Sequence, residues 1–140
     1  MFSPARHADT RSVSCRVVVA DDVAGLRYLV REMLADDPGF EVVGEAADGQ
    51  EAVDVVCDLR PDLLFLDLGM PKLDGLQVIT TLAERCPETG IVVLSGFSAT
   101  RTADIAISLG ARAYVEKGAT QDQLLSVARD VCSRRNAWST

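Results

Sequence analysis

The 140-residue chain has little of what most metal, redox and nucleic-acid sites are built from. It holds a single histidine, His7, and four cysteines, Cys15, Cys57, Cys86 and Cys132, with no CxxC pair and no metal-type spacing. A zinc or iron–sulfur centre is therefore not expected, and the cysteines read as reduced, inert thiols of a cytoplasmic protein. Positive charge is scarce: 14 Lys and Arg against 21 Asp and Glu give a net charge of -7, which argues against a general nucleic-acid or anionic-membrane binder. No apolar run approaches the ~18 residues of a membrane span, and the first residues, MFSPARHADTRSVS, lack a signal-like apolar core. No GxGxxG or P-loop follows the first apolar run, so a nucleotide-binding Rossmann domain is disfavoured.

What the chain does have is 48% hydrophobic residues, ample for one core. They fall into a repeating rhythm of short apolar runs and amphipathic segments. Residues 1–14 are polar and read as a flexible tail, 15–135 as one domain, and 136–140 as a tail or the start of a linker that leaves Trp138 open between packing and linker.

CRVVVA (15–20), EVVGEA (41–46), LLFLD (63–67), IVVLS (91–95) and ARAYV (111–115) are the expected strands. Between and after them, Leu26, Leu29, Val30, Met33 and Leu34, then Ala52, Val53, Val56 and Leu59, then Leu76, Ile79 and Leu82 or Ala83 recur at helical spacing. A less apolar helix over about 100–109 closes at Gly110, and Leu124, Leu125, Ala128, Val131 and Cys132 stripe a final one. Asp74 is placed to cap the third helix. Continuous apolar strands alternating with amphipathic helices imply a parallel sheet covered on both faces, an α/β doubly wound fold. Ligands of such sheets bind at the carboxyl ends of the strands.

The polar residues at those ends form one constellation. Asp21 and Asp22 follow the first strand, Asp67 ends the third, Ser95 ends the fourth, and Lys117 follows the fifth. Two carboxylates ~4 Å apart repel by ~4 kcal/mol at an effective dielectric of ~20, so the cluster needs a retained proton, a paired lysine or a divalent cation. An all-oxygen donor set suits Mg²⁺. A carboxylate is already an ionised nucleophile at neutral pH, and Asp67 could attack phosphorus directly while Mg²⁺ and Lys117 offset the developing charge. Taken singly, each residue has a plainer reading: Asp21-Asp22 as a helix cap, Asp67 as a loop acid, Ser95 as a turn residue, Lys117 as a solvated charge, and Tyr114 as packing. Their convergence on one sheet edge carries the site.

VVVADD, FLDLGMPKLDG, VVLSG and AYVEKG, with Tyr114 three residues before Lys117, make the chain from about Arg16 to Arg134 resemble a receiver domain of bacterial two-component response regulators. The resemblance implies a flavodoxin-like five-stranded sheet of order 2-1-3-4-5 with five helices. It implies Asp67 as the acceptor of a phosphoryl group from a histidine kinase. Asp22 and Asp67 become direct Mg²⁺ ligands, Asp21 a ligand through water, and Gly69 a ligand through its carbonyl. Lys117 and Ser95 become the phosphoryl-binding groups and Tyr114 the aromatic switch, with helix four, strand five and helix five as the readout surface and a homodimer through that surface as one use of it. The chain itself is expected to contact neither DNA nor membrane.

Two departures qualify the likeness. Gly118 follows Lys117 where the family often has proline, and KGAT resembles the receivers that precede LuxR/NarL-type DNA-binding domains, so the chain reads as the first domain of a transcription regulator or as a stand-alone receiver. Gly69 leaves no side chain two residues after Asp67, which should open the acceptor to water. It also disfavours a haloacid-dehalogenase-like phosphatase, which wants a second acid there. A degenerate receiver is disfavoured because each expected site residue is present.

Overall fold

In the computed structural model residues 14–70, 72–96 and 100–139 are described. The expected tail up to residue 13, with His7, and Pro71 lie outside them, and of Trp138 only the backbone is described. Strands β1 (Cys15–Ala20), β2 (Phe40–Ala46), β3 (Leu63–Asp67), β4 (Gly90–Ser95) and β5 (Ala113–Glu116) alternate with helices α1 (Ala24–Ala35), α2 (Gly49–Leu59), α3 (Gly75–Arg85), α4 (Thr100–Leu109) and α5 (Gln121–Ser139). Every strand pair is parallel and the order is β2-β1-β3-β4-β5, the expected flavodoxin-like sheet. The winding reverses between β1 and β3, and the acids after β1 and at the end of β3 sit at that switch point.

Strand alternation sorts the core into two layers. Val18, Ala20, Leu64, Leu66, Ile91 and Val93 pack with Ala52, Val53 and Val56 of α2, Val78, Ile79 and Leu82 of α3, and Ala106 of α4. Val17, Val19, Leu63, Phe65, Val92 and Leu94 pack with Val30 and Leu34 of α1 and the expected α5 stripe from Leu124 to Cys132. Both sheet faces are covered, which is why these strands read as unbroken apolar runs. Each such side chain contributes ~1.5–3 kcal/mol by leaving water.

The helix faces differ in detail from the spacing. Leu29 is 43% exposed, because α1 meets the sheet through Val30 and Leu34, with Met33 beside them. On α3 the fully buried residues include Val78, which the pattern did not single out, while Ala83 faces out and Leu76 is half-buried. Asp74 caps α3 as expected, accepting from the N–H of Leu76 at 2.7 Å. Strand β5 starts two residues later than ARAYV, because the N–H of Ala111 still bonds back to Ala106 of α4 across Gly110, whose φ is +132°. Helix α5 continues to Ser139, past the expected domain limit at Arg135.

In β2 the register moves from Val17 opposite Val42 to Val18 opposite Gly44, so Val43 is one residue more than β1 can pair. The thiols of Cys57 and Cys86 approach to 3.9 Å, and burial pushes the Cys86 thiol up, which keeps it protonated and slow to react.

The α1–β2 turn is tied to the last helix by Asp37. Its Oδ1 accepts from the N–H of Gly39 (2.8 Å), and its Oδ2 from Nη2 of Arg129 (2.8 Å). The backbone bond first, and Arg129 second, hold this carboxyl below its ordinary value of 3.8. A depressed acid stabilises the fold above its unfolded value and loses that contribution as pH falls through the folded one. Asp37→Asn should therefore cost about 0.5–1 kcal/mol at pH 7, modest because Arg129 is solvent-screened. The difference from wild type in urea unfolding should shrink steadily as pH is lowered below 3.8.

Candidate functional site

Parallel winding delivers residues distant in sequence to one edge. Among the described residues, Asp21, Asp22 and Asp67 bring one carboxylate oxygen each within 4.8 Å of one another. Lys117, directly after β5, reaches back across the end of β4 and places Nζ 3.2 Å from Asp67 Oδ1 and 3.4 Å from Asp21 Oδ2. Its N–H donates to the carbonyl of Ser95 (2.9 Å), which locks the two strand ends together. The N–H of Gly69 donates to Asp67 Oδ1 at 3.0 Å.

Asp21 is fully buried and Asp67 nearly so, whereas Asp22 is exposed. Burial pushes the Asp21 carboxyl up, the Val23 N–H bond and Lys117 pull it down, and the charge of Asp67 pushes it further up; the net direction is up. For Lys117 burial acts downward, but bonding and charge from Asp67, then from Asp21, outweigh it and its pKa is raised. A raised lysine keeps its stabilising charge through neutral pH and loses it only as pH climbs through the folded value.

The donor set fits a hard divalent cation. Three carboxylates and one ammonium leave two uncompensated negative charges when all are ionised. The deciding atom is Asp21 Oδ2: it is buried and accepts no hydrogen bond, with Lys117 Nζ 3.4 Å away as an ion-pair neighbour. A buried carboxylate oxygen left so costs about 1–3 kcal/mol unless something positive meets it. All the candidate ligands are oxygens, as Mg²⁺ prefers.

An open cavity of about 340 Å³ adjoins the cluster, lined by Asp67, Leu68, Gly69, Leu94, Ser95, Gly96, Thr102 and Lys117. Ser95 is buried there, its hydroxyl donating to the carbonyl of Gly96 (3.1 Å). Gly75 holds the floor of the loop: a Cβ on it would stand 2.7 Å from the Cα of Leu68, so only glycine lets α3 start so close behind Asp67.

The family profile described as the response regulator receiver domain matches residues 17–129. The chain belongs to that family. The receiver is 38% identical over 110 residues to the transcriptional regulatory protein YhcZ of Bacillus subtilis, covering 79% of this chain and 51% of YhcZ. It is 40% identical over 104 residues to a protein-glutamate methylesterase/protein-glutamine glutaminase of Methanospirillum hungatei, covering 73% of this chain and 30% of that one. Its fold superposes on the signal receiver domain of the putative response regulator NarL of Mycobacterium tuberculosis with a TM-score of 0.80, at 30% identity over 86% of this chain and 97% of that one. The chain thus spans about half or less of these two curated relatives.

Of the residues singled out from sequence, the receiver brings together Asp21, Asp22, Asp67, Gly69, Lys117 and, along the cavity wall, Ser95. Tyr114 stands apart on β5, 41% exposed. Sequence reasoning missed Thr102, which enters the cavity from the first turn of α4. Its signal was a hydroxyl in the first turn after a site-bearing strand.

Because Asp21 sits buried with its pKa raised, its charge opposes folding at neutral pH. Asp21→Asn should therefore stabilise the cation-free receiver by about 1 kcal/mol, a few degrees in thermal midpoint for a chain of this size. Added Mg²⁺ should raise the wild-type midpoint and leave that of the variant nearly unmoved, as read by calorimetry with and without EDTA.

Proposed function

We propose that the chain is a phosphorylation-controlled receiver: Asp67 takes a phosphoryl group from a histidine kinase, and the surface of α4, β5 and α5 carries the result to an output. The observation that carries this reading is the pair of contacts on Asp67 Oδ1, an ion pair with Lys117 Nζ at 3.2 Å and a hydrogen bond from Gly69 N–H at 3.0 Å, beside an open cavity. With one oxygen so held, the other is the nucleophile. A P–O bond forms to Asp67 as the P–N bond to the kinase histidine breaks, and that imidazole leaves with the electron pair. No general base is required, because the attacking oxygen is already ionised.

Asp22 and Asp67, the Gly69 carbonyl, and Asp21 through water would hold Mg²⁺. When bound it supplies positive charge to the transferring phosphoryl oxygens. Lys117 orients the group from the opposite side. Ser95 must give up its bond to the Gly96 carbonyl to reach a phosphoryl oxygen, exchanging a neutral contact for a charge-assisted one.

The group adds about 1.5–2 negative charges at a fixed point. Contacts from Ser95 and Lys117 that exist only in the rearranged state favour that state, and a near-complete switch needs ~5.5 kcal/mol of differential binding. Tyr114, now exposed, follows Ser95 inward. The rearranged surface includes Ile105, Ile107 and Leu109 of α4, each at least 40% exposed, and it could serve a second copy of the chain. Likeness to YhcZ and to the NarL receiver supports a DNA-binding output domain outside this chain and a role in transcription. Among the described residues no helix is long and apolar enough to cross a membrane, and the reduced cysteines fit the cytoplasm.

Incubation with Mg²⁺ and acetyl phosphate should add one phosphoryl mass to the intact protein, with none on Asp67→Asn and none in EDTA. Steady phosphate release without a retained adduct points instead to a phosphatase, and a chain inert to every donor to a receiver that works unphosphorylated.

Gly69 should set the lifetime of that adduct. A Cβ there would meet only Asp67 Oδ1, at 3.6 Å, so a larger side chain fits and would stand over the acceptor. Gly69→Met is expected to slow loss of the phosphoryl group about tenfold, equivalent to ~1.4 kcal/mol of barrier, followed by mass spectrometry after donor removal.

A further inference from the structure

Asp21 is fixed through nearly every polar atom it has. Its N–H donates to the Ala46 carbonyl (3.0 Å) and its Oδ1 accepts from the N–H of Val23 (2.9 Å), which leaves Oδ2 facing the site. The remaining atom, its carbonyl oxygen, accepts from Arg27 Nη1 at 2.6 Å. That carbonyl belongs to the peptide that carries Asp22.

Arg27 lies one turn into α1 with only 18% of its side chain exposed. Its Nε donates to Glu45 Oε1 on β2 at 2.8 Å, and the other oxygen of Glu45 accepts from Arg31 Nη1 at 2.9 Å. A guanidinium is planar and permanently charged, so two bonds from different edges of it define its orientation. The chain of contacts runs from β2 through one rigid group to the loop bearing both acids. Arg31 shares the Glu45 anchor and has no bond to Asp21, so within one network the two arginines separate anchoring from positioning.

We propose that Arg27 is a positioning residue of the cation site: by holding the Asp21 carbonyl it fixes the peptide from which Asp22 projects, and Glu45 fixes Arg27. The exposed Asp22 carboxylate has little packing of its own to hold it, and rotation of that peptide would swing it away from Asp67. This rests on reading the acid cluster as a Mg²⁺ site.

Titration calorimetry of Mg²⁺ into unphosphorylated protein tests it, with thermal midpoints measured on the same samples. Arg27→Met should weaken Mg²⁺ about tenfold, in the range usual for groups that orient metal ligands. Arg27→Lys should fall between it and wild type, since one ammonium reaches the carbonyl or Glu45 but does not span both. Glu45→Gln should weaken Mg²⁺ by a smaller factor, and Arg31→Met should leave Mg²⁺ affinity unchanged whatever it does to the midpoint. If Arg27→Met does not fold, Arg27→Lys and Glu45→Gln carry the comparison. Wild-type affinity in a folded Arg27 variant, or an equal loss in Arg31→Met, overturns the positioning role alone. A wild-type chain that binds no Mg²⁺ overturns the site reading and this role together.

Discussion

The functional edge depends on the ammonium of Lys117 standing between two buried carboxylates. Strands β1 and β3 are neighbours, so the acids that follow or end them are forced together whatever their charges prefer. The repulsion between them is of the order of several kcal/mol, comparable with a domain's whole margin of stability. Lys117 comes from two strands away and its backbone is pinned to the end of β4, so it neutralises part of that charge without filling the space between the acids. The cluster is thereby tolerated by the fold while still short of positive charge.

The helices around that edge are anchored to different degrees. The layer under α1 and α5 is packed with valine, leucine and phenylalanine, and the Asp37–Arg129 contact closes it. Helix α4 instead meets the sheet layer through Ala103 and Ala106, and it presents isoleucines to solvent. Methyl groups bury little area, so moving this helix sacrifices little. The cavity lined by Asp67 also includes Thr102 of that same helix, which puts the lightly anchored element next to the acid cluster.

Much of this was legible in the sequence, because doubly wound sheets make strand ends convergent and strand ends are easy to find. VVVADD and LLFLD placed Asp21, Asp22 and Asp67 correctly on one edge with no knowledge of distance. Boundaries were harder: the start of β5 depended on Ala111 bonding backwards to α4, a matter of turn geometry that composition does not reveal. Leu29 shows the limit of helical spacing, since an apolar residue on a helix face can lie beyond the reach of the sheet. The Arg27–Glu45 pair was invisible, because two charges 18 residues apart on α1 and β2 look like ordinary solvated surface until packing brings them together.

The surplus residue of β2 has a consequence for parity. Strand side chains alternate between faces, and one inserted residue reverses the assignment of every residue after it. Phe40 and Val42 face the α1 layer as even-numbered positions, yet Glu45, an odd one, also faces α1 and meets Arg27. The irregularity at Val43 is what makes both true. In an unbroken strand Glu45 would point into the layer beneath α2, where Gly44 now lies against Leu59 and Val55. The face on which a carboxylate emerges, and with it whether Arg27 has an anchor, is decided by one residue of odd count.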